Sequence, residues 1–76
     1  MIPIYMRPRT SKTHTTLQAS VAAWEEAIDI LAANNQMVYI GLIAPHLKDK
    51  DNNDTVRLTF TNTVAVKLLH FFGVSA

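Results

Sequence analysis

TLQASVAAWEEAIDILAAN, residues 16–34, is the one long segment with a single clear period. Leu17, Val21, Trp24, Ile28 and Leu31 recur at steps of four and three, which places all five on one face of an α-helix. Gln18, Glu25, Glu26 and Asp29 fall on or beside the opposite side, where water solvates their charge. Thr15 and Gln18 have capping-box spacing for a start at Thr15 or Thr16. The alanines from Ala19 to Ala33 raise helix propensity. Asn34-Asn35 is a suitable stop, because asparagine tolerates positive φ. Ser20, Ala23 and Ala27 form a strip of small residues along which a second element can approach closely.

Toward the C-terminus, Met37–Ile43 (MVYIGLI) is β-branched and aromatic and reads as a strand. It is apolar on both faces, so it is expected at the centre of the sheet. Pro45 ends it, and Lys48–Asp54 (KDKDNND) supplies turn residues. Thr55–Thr61 alternates without fault: Val56, Leu58 and Phe60 point one way, Thr55, Arg57, Thr59 and Thr61 the other. Asn62 is expected to cap a last helix, Thr63–Phe72, closed by Gly73. Toward the N-terminus, Ile2–Arg7 reads as a short strand held at a sheet edge by its prolines. Arg9–Thr16 reads as a polar, threonine-rich connector, mobile over 9–15. The expected fold is α+β in the order β-α-β-β-α: a single domain, 1–76, with a three-stranded, mainly antiparallel sheet and two helices packed on one face.

The chain has 76 residues, about half of them apolar, only 17% charged, and no cysteine. No disulfide or thiolate metal site staples so small a domain, so a dense core or an assembly must hold it together. The net charge of +1 excludes a protein that coats nucleic acid through sheer basicity. Met1–Met6 is too short and lacks the basic start of a secretory signal, and Met37–Pro45 is too short to span a bilayer. A cytoplasmic protein that makes no use of a membrane is expected. The absence of cysteine fits a reducing compartment.

Candidate chemistry is sparse. Asp49, Asp51 and Asn53 match the first ligands of an EF-hand loop, but Asp54 stands where that loop wants glycine and Phe60 where it needs a bidentate glutamate. His14, His46 and His70 are far apart in sequence and lack the spacing of a zinc site. His70 falls in the last turn of a helix, where the dipole favours a cation. Ser11, Ser20 and Ser75 are not in a nucleophile-elbow context. Glu25 or Glu26 with Asp29 pairs carboxylates on one helix turn, yet on a solvated face with no cleft to separate their pKa values. With two glycines in all, no phosphate-cradling loop exists. No catalytic residue, metal or cofactor is expected.

Two features point to binding. Val64, Ala65, Val66, Leu68, Leu69, Phe71 and Phe72 cover far more of the last helix than the usual apolar stripe of about 100°. Monomers rarely leave such a surplus open, so Val66, Leu69, Phe71 and Phe72 are expected to meet a protein partner or a second copy in a homodimer. The acidic side Glu25, Glu26 and Asp29 is a further candidate partner surface, able to mimic phosphates toward a basic target. The alternative is a small nucleic-acid-binding domain using the basic arm Arg7, Arg9 and Lys12 with Arg57. Small, cysteine-free chains without catalytic motifs are common among viral or mobile-element proteins that block a host machine by binding it. The expectation is therefore a non-enzymatic binding module of that stoichiometric, inhibitory kind.

Overall fold

HTTLQAS carries two periods at once. Leu17 suits the helical stripe of Val21, Trp24, Ile28 and Leu31, but Thr15, Leu17 and Ala19 also alternate with polar neighbours. In the computed structural model, which describes residues 5–6 and 10–73, the alternation prevails. His14–Ser20 forms strand β2, with Thr15, Leu17 and Ala19 buried. It pairs antiparallel over its whole length with β3, Thr55–Thr61, setting Thr15 opposite Phe60, Leu17 opposite Leu58 and Ala19 opposite Val56. These six side chains make the inner face of the sheet. Among the described residues, the other edge of β2 meets the two residues of β1, Tyr5–Met6, also antiparallel.

Helix α1 therefore starts later than the hydrophobic period suggests. It spans Val21–Ala33, and Ser20 caps it, its Oγ accepting a hydrogen bond from the Ala23 amide at 3.1 Å. A serine side chain at this position satisfies one of the orphan amides of the first turn. Asn35 closes the helix at φ 59°, the left-handed conformer expected of the Asn-Asn pair.

The expected three-stranded sheet with two helices is thus incorrect. The sheet is in substance a two-stranded antiparallel ribbon of β2 and β3 with a two-residue fragment beside it, and three α-helices accompany it. The expected central strand Met37–Ile43 is helix α2. A run that is apolar on every side has no period to separate strand from helix, and β propensity yields to context. Here the turn at Asn34–Gln36 folds the chain directly back, and the Gln36 amide donates to the Leu31 carbonyl at 2.9 Å. As a helix, the run places Tyr39, Ile40 and Ile43 against the core on one side. The 3-10 turn Ala44–Leu47 and an exposed loop lead into β3.

Helix α3 spans Asn62–Phe71. Its cap is Thr61, whose Oγ1 accepts from the Val64 amide at 3.4 Å, and not the expected Asn62. The Asn62 side chain does a different job. Its Oδ1 accepts from the buried Thr15 hydroxyl at 2.5 Å, and its Nδ2 donates to the carbonyls of Ser11 and Lys12. The end of the expected connector is thereby tied to the start of α3. Gly73 follows α3 at φ 77°, a conformation glycine adopts without a Cβ penalty.

The helices cover the inner face of the ribbon. Trp24 is fully buried at the centre, its ring 6.3 Å from that of Phe60. Its indole Nε1 donates to the Val56 carbonyl at 3.0 Å, so burying this polar atom leaves no donor unpaired. Leu31, Ile43, Leu68 and Leu17 are the other large side chains that are fully buried. Among the described residues no helix is long and apolar enough to cross a membrane.

Candidate interaction surface

The apolar surplus expected on α3 is mostly absorbed by the core. Leu69 and Phe72 are each only 3% exposed and cannot reach a partner in this conformation. They close over the ribbon with Ala65 and Leu68. Phe71 is half-buried, its ring centroid 6.5 Å from that of Tyr39 on α2 and 6.0 Å from that of His70. Val66 alone of the four expected contact residues is well exposed, at 62%.

The surplus reappears on α2. Residues 37, 38, 41 and 42 share the side of this helix opposite Tyr39, Ile40 and Ile43. Met37 is 67%, Val38 77% and Leu42 45% exposed, and between them a Cβ added at Gly41 would meet nothing within 4 Å. Three of the four large exposed hydrophobic residues of the described chain therefore sit on one face of a seven-residue helix. On the Tyr39 side of α2, an open groove of about 480 Å³ runs between α2 and α3. Gln36 and Tyr39 line one wall; Val66, Lys67, His70 and Phe71 line the other. Tyr39, Val66 and Phe71 give it an aromatic and aliphatic lining, and Gln36, Lys67 and His70 contribute polar groups.

These α2 residues escape a reading of the sequence that takes MVYIGLI for a covered strand. The signal that identifies them is positional. The run starts right after the two asparagines that stop α1, and on a helical wheel it divides into a packing side and an outer side that is entirely apolar.

The expected acidic residues lie elsewhere. Glu25, Glu26 and Asp29 are all exposed on the outer side of α1. Glu25 and Asp29 border a second, shallower groove of about 340 Å³ with Ile28, Ala44, Leu47 and Lys48. Lys48 shares its rim with the two carboxylates, so this site is not uniformly acidic.

Of the basic residues of the nucleic-acid alternative, the two that are described, Lys12 and Arg57, are not brought together. Arg7 and Arg9 lie outside the described residues. Lys12 is exposed just beyond the His14 end of the ribbon. Arg57 stands opposite Gln18 near the other end, and its Nε donates to the Gln18 Oε1 at 3.4 Å. At about 3.3 Å per strand residue, the two basic groups are separated by most of the ribbon's length. Among the described residues, no three histidines or carboxylates form a group that could hold a metal ion.

What the arrangement offers chemically is apolar contact area with a few polar groups. Compared with models of protein families, with curated proteins and with solved structures, the chain matches none.

Proposed function

We propose that this chain is a non-enzymatic protein-binding module that docks through the outer face of α2 and the adjoining groove. The observation that carries the reading is the wholly apolar, exposed side formed by Met37, Val38, Gly41 and Leu42. Fully burying an aliphatic side chain of this size is worth about 1.5–3 kcal/mol. Leaving three such residues open on a domain of this size forgoes stability that a partner's surface recovers. Tyr39 and Phe71 add aromatic area, and Lys67 and His70 supply polar groups that fix orientation.

On this reading the module acts stoichiometrically, by occupying a surface of a larger protein. A viral or mobile-element inhibitor of a host machine is the kind of protein that fits such a design.

The test is affinity capture from the source cell with two baits, the wild-type chain and the double variant Val38→Glu/Leu42→Gln. Both substitutions keep good helix formers on an exposed surface, so the fold is expected to survive, which circular dichroism checks. A protein retained by the wild type and lost with the variant is the expected result. Identical captured sets from both folded baits would remove the reading.

A further inference from the structure

We propose that β3 is the pairing edge of a symmetric dimer, in which a second copy of this chain adds its own β3 antiparallel to the first. The Val21 amide donates to the Asp54 carbonyl, and the Asn62 amide to the Thr13 carbonyl, at the two ends of the β2–β3 ladder. Hydrogen-bonded pairs alternate along an antiparallel ladder. Val56, Leu58 and Phe60 therefore turn their backbone groups toward β2, and Thr55, Arg57 and Thr59 turn theirs away from it. The amide of Thr61 points outward as well. No hydrogen bond among the described residues uses these outward groups, and all four residues are exposed.

Exposed edges are usually blunted by proline, a bulge, charged side chains or extreme shortness. Of these, β3 has a single charged side chain. It runs seven residues in unbroken register without proline, and its one charge, Arg57, stands on the open face of the sheet. The core also thins toward this edge. Val56, Leu58 and Phe60, at 6%, 6% and 7%, keep the greatest residual exposure of all the core residues.

A second copy fits better than an unrelated strand because TVRLTFT is self-complementary in one register. Two-fold pairing centred on Leu58 overlaps all seven residues. It sets Arg57 opposite Thr59 of the second copy, with Thr55 opposite Thr61, and forms about six N–H···O bonds. On the inner face it sets Val56 against Phe60 and Leu58 against Leu58, the aliphatic and aromatic cross-strand contacts that stabilise sheets. Moving the centre to Arg57 would shorten the overlap and place like charges face to face. In the full register the two arginines are only diagonal neighbours, and each already leans back across its own ribbon toward Gln18.

The edge is made by Thr55–Thr61 and the docking surface by the outer side of α2, so the two proposals rest on different residues.

The test is sedimentation equilibrium across a wide concentration range on four chains: wild type, Thr59→Lys, Thr59→Glu and Val38→Glu/Leu42→Gln. The two Thr59 variants lose the same hydroxyl contact with Thr16. They differ in the charge they set opposite Arg57 of the second copy. The wild type is expected to dimerise reversibly. Thr59→Lys is expected to weaken the dimer about fivefold and Thr59→Glu to tighten it, from the size of cross-strand charge effects. The α2 variant is expected to leave it unchanged. A wild type that stays monomeric at millimolar concentration would overturn the proposal. So would Thr59→Lys and Thr59→Glu shifting the equilibrium in the same direction, or a dimer lost only in the α2 variant.

Discussion

Helices α2 and α3 are both rich in apolar residues, yet they use them in opposite ways. Ala65, Leu68 and Leu69 of α3, with Phe72 at its C-cap, close onto the ribbon, and only Val66 is left well exposed among its large hydrophobic side chains. α2 fully buries Ile43 alone and turns Met37, Val38 and Leu42 to the outside. The contrast follows from position. α3 continues directly from β3 at its Thr61 cap and has the inner face of the sheet to cover. α2 is hung on α1 by a tight turn, and one side of it suffices for that contact. Apolar content alone thus does not mark a binding surface. What marks it is apolar content on an element whose packing needs are already met.

Perturbations that set one region against the other have graded outcomes. The largest effect belongs to the core beneath α3. Trp24→Ala removes a fully buried ring and its hydrogen bond to Val56, and is expected to cost about 3–5 kcal/mol, a large share of a small domain's total stability. Urea titration followed by circular dichroism reads it as partial or complete unfolding. Leu69→Ala comes next, at about 2–5 kcal/mol, against less than about 0.5 kcal/mol for Val38→Ala by the same titration. Equal costs at these two positions would erase the distinction between the helices. Ser20→Ala deletes the cap that ends β2 and opens α1, and is expected to cost about 1 kcal/mol. The smallest change is a gain. Gly41→Ala adds a methyl where nothing stands within 4 Å, and raises stability by about 0.5–1 kcal/mol through helix propensity and a less flexible unfolded chain.

The same contrast explains how much could be read before folding. The core half of α1, the stop at Asn34-Asn35, strand β3 with its alternating faces, the helix after it and the role of Gly73 were legible, because each has one dominant period or one conformational demand. HTTLQAS was not, because Leu17 satisfies a helical and a strand period together, and the choice depends on β3, some 40 positions away. MVYIGLI was not, because an all-apolar run has no period. The candidate surface inherited both errors. With α2 taken for a central strand, the surplus had to be assigned to α3, where Leu69 and Phe72 prove to be core. Asn62 was misplaced for a third reason: its bond to Thr15 joins residues 47 positions apart, and nothing local announces it.

The claim that the outer face of α2 meets another protein is tested most directly by placing a photo-crosslinking residue at position 38 and irradiating the source cell. A second probe at position 50, in the exposed loop before β3, serves as the reference. The account predicts a discrete adduct between position 38 and a different polypeptide, with far less from position 50. No adduct from position 38, or the same adducts in equal yield from both positions, would contradict it.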